Sequence, residues 1–387
     1  MSKGKVLILA SVASMIDQFN MSNICILLSM DYEVHVACNF EKGNTCNQEK
    51  IDKLKNRLSE LNVKYYQIDF TRSVFKIFED IKAYKQVKKI LKENNYKFVH
   101  CHSPIGGAIG RLVCRSTNTK CIYTAHGFHF FKGAPLKNWM IFYPIEKWLS
   151  KYTDVLITIN KEDYNRAKNK FKMKQLEYVP GVGIDTKKYH LAEFDRNNYR
   201  RRLGYSDDDF VILSVGELNK NKNHEVVLKA LSKLDNPNIK YMIAGQGELE
   251  EYLLNIAMEL KIDNNFQLLG FRNDIPELLN SSDLFILPSI REGLNVSLME
   301  AMSADLAISC SKIRGNVDLI KDKQNGFIFD CDNIIQIVDV IERTMSLSKE
   351  SKKSIIEYNK RIKENFSLSN VNEQSKKIYY QINCEEK

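Results

Sequence analysis

The sequence predicts an α/β protein made of two Rossmann-like halves, each a parallel, doubly wound sheet. Three observations carry this. Short apolar or β-rich runs alternate with helical or turn-rich segments from Val6 to Ile159. Tyr178–Asp185 then interrupts the rhythm with Pro180, Gly181 and Gly183, as an interdomain linker does. The alternation restarts at Val211. Two βαβ halves in one chain imply a cleft that can enclose a substrate. The expected division is residues 1–180, residues 181–365 and a terminal helix over residues 366–387.

In the first half the expected strands are Val6–Ala10, Val34–Cys38, Tyr65–Ile68, Phe98–Cys101, Cys121–Ala125 and Val155–Ile159. Between the third and fourth, Phe75–Glu93 carries apolar residues at three-to-four spacing among six lysines. It reads as an amphipathic helix with a core-facing side and a solvated basic side. In the second half the expected strands are Val211–Val215, Ile239–Ala244, Phe266–Leu269, Leu284–Leu287 and Ala307–Ser309. From Ser348 to Cys384 the sequence is helical and polar.

Of 387 residues, 44% are hydrophobic and 27% charged, which excludes a disordered chain. Lys3 and Lys5 lead directly into VLILA, a first strand too short to cross a bilayer, so a cytoplasmic protein is expected. Nine cysteines without C-x-x-C spacing indicate neither a disulfide framework nor a zinc ribbon. Residues 1–180 hold 29 Lys+Arg against 16 Asp+Glu, a net +13; residues 181–387 hold 28 against 32, a net −4. A basic half suggests an anionic surface or ligand. No nucleic-acid-binding motif accompanies the charge, so an anionic membrane face or a pyrophosphate-linked lipid is the expected partner.

The most informative stretch is Pro288–Met302, PSIREGLNVSLMEAM. It reads as a strand end, a turn, Gly293 and then a helix through Val296, Leu298, Met299 and Met302. A strand running into a helix start favours phosphate, because free amides and the helix dipole both attract negative charge. Gly293, Leu294 and Asn295 would let a diphosphate approach the backbone. At helical rise Glu292 and Glu300 would stand about 12 Å and about 80° apart. Glu292 would meet what hangs from the phosphates, and Glu300 a hydroxylated group on the nucleoside side. A purely structural strand-loop-helix unit has the same pattern.

The string E-G-L-N-V-S-L-M-E-A-M resembles the E-x7-E signature of retaining glycosyltransferases of family 4. The resemblance implies the two-domain GT-B fold and spans nearly the whole chain. It is strongest to bacterial enzymes that build capsular or exopolysaccharide units on a lipid pyrophosphate carrier. It also implies that the last helix crosses back onto the first domain. Ser214–His224, SVGELNKNKNH, is similar to the family's V-G-R-L-x-x-x-K, in which Arg and Lys hold the diphosphate. Gly216 and Lys222 match; Glu217 stands where the Arg would be, and Arg291 is a possible substitute cation. Gly245 in Ile243–Glu248 resembles a turn near the nucleotide, although a dinucleotide fingerprint fails there for want of a third glycine. Ser309–Asn316 looks like a family loop serving a structural turn.

In the first half, Tyr123–His129 is similar to the family's His-Gly segment, which implies that His126 positions the donor sugar; a structural histidine is the alternative. His100 and His102 share a strand face, but with no third ligand evident they are assigned to packing. Phe130, Phe131, Lys132, Lys137 and Trp139 suggest a patch for lipid headgroups or a lipid-linked acceptor, with a buried aromatic cluster as the alternative. Asp207–Asp209 precedes its strand and reads as a solvated turn.

These residues lead to an expected activity: transfer of a sugar from a nucleotide diphosphate, a UDP-sugar, to a lipid-linked or growing glycan with retention. Glu292 and His126 are the catalytic candidates. No metal or cofactor is expected, the nucleotide-sugar being a co-substrate. The expected site of action is the inner face of the cytoplasmic membrane. A nucleotide-sugar 2-epimerase of the same fold is one alternative; a two-domain sugar-binding protein, which should carry an export signal, is another.

Overall fold

A computed structural model of the chain describes residues 2–42, 48–71 and 77–384. Residues 75 and 76, the start of the expected basic helix, and Cys46, one of the nine cysteines, lie outside the described residues. The chain divides into two compact units: Met1–Val182 with Ser369–Lys387, and Gly183–Leu368.

The first unit is built on a parallel sheet of β1 (Lys5–Val12), β2 (Glu33–Asn39), β3 (Lys64–Gln67), β4 (Tyr96–His102), β5 (Lys120–Ala125), β6 (Val155–Thr158) and β7 (Gln175–Tyr178). Their order is β3-β2-β1-β4-β5-β6-β7. The second sheet holds β8 (Phe210–Val215), β9 (Ile239–Ala244), β10 (Phe266–Leu268), β11 (Leu284–Leu287), β12 (Ala307–Ser311) and β13 (Phe327–Phe329). Its order is β10-β9-β8-β11-β12-β13. Every pairing is parallel.

Strands covered by helices on both faces must be apolar throughout, and β1 and β11 are buried along nearly their whole length. The two edge strands β7 and β13 are additions to the expected set. Gln175–Tyr178 is polar and Phe327–Phe329 is three residues long, so neither leaves a run that stands out.

Helix Ile77–Glu93 buries Ala83, Val87, Ile90 and Leu91 and leaves Lys82, Lys85, Lys89 and Lys92 exposed, the core-facing arrangement expected of it. Helix Pro104–Thr117 presses on the sheet through glycines. A Cβ on Gly107 would meet the Tyr123 ring at 2.3 Å, and one on Gly110 the Cys101 sulfur at 2.3 Å.

The C-terminal helix, Leu368–Cys384, closes the first unit's core with Val371, Ile378, Tyr379 and Ile382. Tyr379 stacks on Phe98 with ring centres 5.7 Å apart, and its hydroxyl meets His100 Nδ1 at 2.9 Å. Among the described residues, no helix is long and apolar enough to cross a membrane.

Candidate active site

In the second sheet, connections run one way from β8 and the other way from β11, so the loops leaving these neighbours flank a crevice at their carboxyl ends. The two loops are stitched together. Ile290 N–H donates to the Asn221 carbonyl (2.8 Å), and the Asn221 amide donates to the Arg291 carbonyl (3.0 Å). Asn223 takes a left-handed φ of 55° and donates to the carbonyls of Pro288 (3.3 Å) and Cys331 (2.7 Å).

Lys222 is thereby drawn across Gly216: a Cβ there would meet its Cε at 3.0 Å. Its ammonium donates to Glu292 Oε1 at 2.7 Å, both side chains being mostly buried. Gly245 packs against the same turn, since its Cβ would lie 1.8 Å from the Gly216 carbonyl oxygen. Gly245 is thus demanded by backbone crossing backbone.

The helix after β11 is Val296–Ser303, capped by Asn295, whose side chain accepts from Leu298 N–H (3.1 Å). Ser297 Oγ donates to the Val215 carbonyl (3.2 Å), tying the helix start to the end of β8. The cap corrects one expectation. Glu292 precedes the helix, so the helical spacing assumed between it and Glu300 does not apply; Asn295 offers the backbone an alternative partner and begins the helix at Val296.

Glu300 does lie on the helix and is largely buried. Tyr189 Oη donates to its Oε1 at 2.6 Å. Burial raises the Glu300 pKa above its ordinary value, while the Tyr189 bond and the Lys188 charge pull it back toward the carboxylate. Tyr189 stands apart from any motif and was not singled out in the sequence. Replacing it by Phe is expected to raise the KM for a substrate held by Glu300 about fivefold with kcat nearly unchanged, the loss of one hydrogen bond of about 1 kcal/mol. Steady-state kinetics with that substrate varied checks this.

A second residue emerges only in three dimensions. Gly315, at a φ of 79°, brings its loop against Gly293, whose carbonyl oxygen would be 2.2 Å from a Cβ at position 315. Arg314, 6% exposed, therefore sits under the loop and donates from Nε to the Glu292 carbonyl (3.2 Å). Arg291 and Glu217 are exposed, so the buried guanidinium beside Glu292 comes from Arg314. Lys222, Glu292, Gly293, Leu294 and Gly216 are brought together, with Arg314 beneath.

In the first unit, the ends of β4 and β5 gather histidines. His102 Nδ1 lies 3.1 Å from His126 Nε2, and the His100 and His102 rings are 4.1 Å apart between centres. His100 is saturated by Tyr379 Oη (2.9 Å) and Thr124 Oγ1 (2.8 Å). His102, 1% exposed, keeps Nε2 without a hydrogen-bond partner. With His126, a third imidazole is present where none was evident, yet among the described residues no group of three His, Cys, Asp or Glu is disposed to hold a metal ion. His126 is partly covered and borders a small cavity with Phe19, Asn23 and Asn372.

Burial pushes the pKa of His126 down to about 4 and that of His100 to about 3, with the His126 charge adding to the latter. The unfolded chain therefore takes up these protons first, near pH 6.5. Stability should be level above pH 7 and fall as pH drops from about 6.5 toward about 4. Thermal denaturation across pH 4–8 should show a shallower acid slope for His126→Asn than for the native chain.

Phe130 corrects the proposed surface patch. It is 0% exposed, stacked on Phe128 and packed against Trp139, Tyr143 and Phe171, because an aromatic run this dense fills the space beneath its own helix. Trp139 and Phe131 are half-buried; Lys132 and Lys137 are exposed.

Residues 5–160 match the family described as "Glycosyl transferase 4-like", and residues 195–362 the family described as "Glycosyl transferases group 1". A Bacillus subtilis (strain 168) protein named "Putative glycosyltransferase EpsD" is 36% identical over 84% of this chain and 83% of its own. An Escherichia coli relative, "UDP-Gal:alpha-D-GlcNAc-diphosphoundecaprenol alpha-1,3-galactosyltransferase", is 30% identical over 69% of this chain and 71% of its own. The structure of Anabaena Alr3699/HepE in complex with UDP and glucose superposes with a TM-score of 0.78 at 16% identity, covering 98% of this chain and 100% of that one.

Proposed function

This chain belongs to the group 1, family 4-like glycosyltransferases of the GT-B fold, and from that premise we propose that it transfers a hexosyl or N-acetylhexosaminyl unit from a UDP-sugar, with retention, to a lipid-linked or growing glycan in capsular or exopolysaccharide assembly. The observation that carries the proposal is the Lys222–Glu292 pair at the switch point of the second sheet, beside the Asn295-capped helix and above Arg314. The names of the relatives support the partners: one is named for a UDP-sugar donor and a diphosphoundecaprenol acceptor, and one structural neighbour is in complex with UDP.

The chemistry follows from charge. When the sugar leaves, negative charge concentrates on the departing diphosphate. Lys222 and Glu292 cancel as a pair, so the amides at the start of Val296–Ser303 are what would favour negative charge beside them. An ammonium has three donors, so Lys222 can hold Glu292 and a phosphate oxygen together. Fixed donors of this kind supply the stabilisation a divalent cation would otherwise give, and the proposal assigns no metal or cofactor to the reaction. Glu292 would accept from donor-sugar hydroxyls and stabilise positive charge on the sugar; Glu300 would accept from the ribose. The family resemblance gives His126 the role of positioning the donor sugar.

The test is incubation with radiolabelled UDP-sugars and membranes carrying lipid-linked acceptors. Label should appear in the lipid fraction and disappear with Glu292→Gln. A changed free nucleotide-sugar with no acceptor present would point instead to an epimerase. Thermal shift by UDP-sugars but not by GDP- or ADP-sugars checks the base, since a ligand stabilises according to its excess over Kd.

A further inference from the structure

Helix Leu136–Leu149 is apolar on two sides. The inward side, with Trp139, Phe142 and Tyr143, packs on the first unit's core. The outward side exposes Leu136 by 73%, Met140 by 65%, Ile145 by 43% and Trp148 by 45%. At about 100° per residue these, with Ile141, fall in one arc of about 180° that also holds Lys137 and Lys147. No acid shares the arc. The helix's single carboxylate, Glu146, turns inward to Arg111, bonding both guanidinium ends at 2.8 and 3.1 Å.

Basic charge gathers where this helix ends. Trp148 meets Tyr152 edge-on with ring centres 5.4 Å apart, and the Arg115 guanidinium lies over the Tyr152 ring at 4.1 Å. Arg115 and Tyr152 line a surface pocket of about 550 Å³ together with Lys97, Lys120 and Lys151. Asp154, which is paired with Lys174 at 2.6 Å, is the acid among its lining residues.

We propose that this face docks on an anionic phospholipid bilayer, with the outward side chains of helix Leu136–Leu149 entering the boundary between headgroups and acyl chains and the adjoining basic pocket taking lipid phosphates. The proposal rests on the reading that the acceptor is carried by a lipid. An exposed apolar stripe with lysines and an interfacial tryptophan has the chemistry of a helix lying in a membrane surface. A second copy of the chain is a poorer occupant: two-fold pairing of this face would bring the lysines of one copy near those of the other with no carboxylate in the arc between them. The assigned surface also differs from the patch expected from sequence, since Phe130 and Trp139 face the other way.

Flotation with phosphatidylcholine vesicles, alone or with one-third phosphatidylglycerol, tests this. The full chain should bind the anionic vesicles at least about tenfold more tightly than the neutral ones, and less tightly as salt rises. Met140→Glu with Ile145→Glu should weaken binding at least about tenfold. Lys137→Ala and Lys147→Ala should each weaken it about fivefold at low salt. In a Trp139→Phe background, Trp148 emission should shift to the blue on vesicles.

Equal binding to both vesicle types, no binding, or unchanged binding of the Met140/Ile145 double variant overturns the proposal. So does a native dimer that the double variant dissolves. Thermal shift by the UDP-sugar, measured on the same proteins, should be the same in every variant. Vesicle binding without any donor shift would sink the proposed activity and leave the docking face standing; the reverse outcome would sink the docking face alone.

Discussion

Lys222→Ala is expected to lower kcat/KM for sugar transfer by about 10²–10³, the usual cost of removing one preorganised charge from a site where negative charge develops. The loss should fall mainly on kcat, because in the proposed reaction the ammonium would interact most strongly with the diphosphate as it departs. The variant also leaves Glu292 mostly buried without its cation, and a carboxylate facing a diphosphate repels it. Glu292→Gln removes that repulsion, so the double variant should be less impaired than the product of the two single effects. Lys222→Arg should recover part of the rate. Single-turnover measurements with saturating donor separate binding from chemistry; a loss under tenfold for Lys222→Ala would remove it from the reaction.

The largest expected effect on stability comes from Gly245→Ala. The added methyl would stand 1.8 Å from the Gly216 carbonyl oxygen, and the obstacle is backbone on both sides, so neither a rotamer change nor a flexible side-chain tip can relieve it. Overpacking of this kind costs about 3 kcal/mol. For a unit of this size that corresponds to a Tm lower by about 6–12 °C. Gly204→Ala is the control: Gly204 ends its helix at a φ of 87° with open space around it, so only backbone strain of about 1–2 kcal/mol applies. Differential scanning calorimetry of the two variants should rank Gly245→Ala well below Gly204→Ala. Equal melting temperatures would mean that the two loops part easily.

How much of this was legible in the sequence depended on how local the cause was. Buried parallel strands must be apolar over their whole length, so Val6–Ala10 and Leu284–Leu287 announced themselves. Gln175–Tyr178 did not, because an edge strand bonds one neighbour and needs no apolar run. Lys222 and Glu292 were each marked by a motif at a strand end, but their ion pair appears only in the structure. Arg314 was not marked, because it lies 22 residues from Glu292 and only adjacency of β11 and β12 brings the two together. His102 and His126 meet for the same reason, across the register of β4 and β5. The Asn295 cap was visible in principle, three residues before Leu298, but the distance between the two glutamates was taken at helical rise although Glu292 stands before the helix. The aromatic run Phe128–Phe131 was ambiguous for a physical cause: fully buried and half-buried rings alternate along it, and composition does not say which rings turn in.

The C-terminal helix has one further consequence. Because Tyr379 and its neighbours complete the core beneath β4, the amino-terminal lobe needs residues from both ends of the chain, whereas the carboxyl-terminal lobe is one unbroken segment, Gly183–Leu368. During synthesis the order of folding is thus inverted relative to the order of translation: the lobe made second can finish first, and the lobe made first waits for helix Leu368–Cys384 to emerge. Until then its β-sheet offers an uncovered apolar face, a natural client for chaperones, and truncating the final helix should send the chain to aggregates.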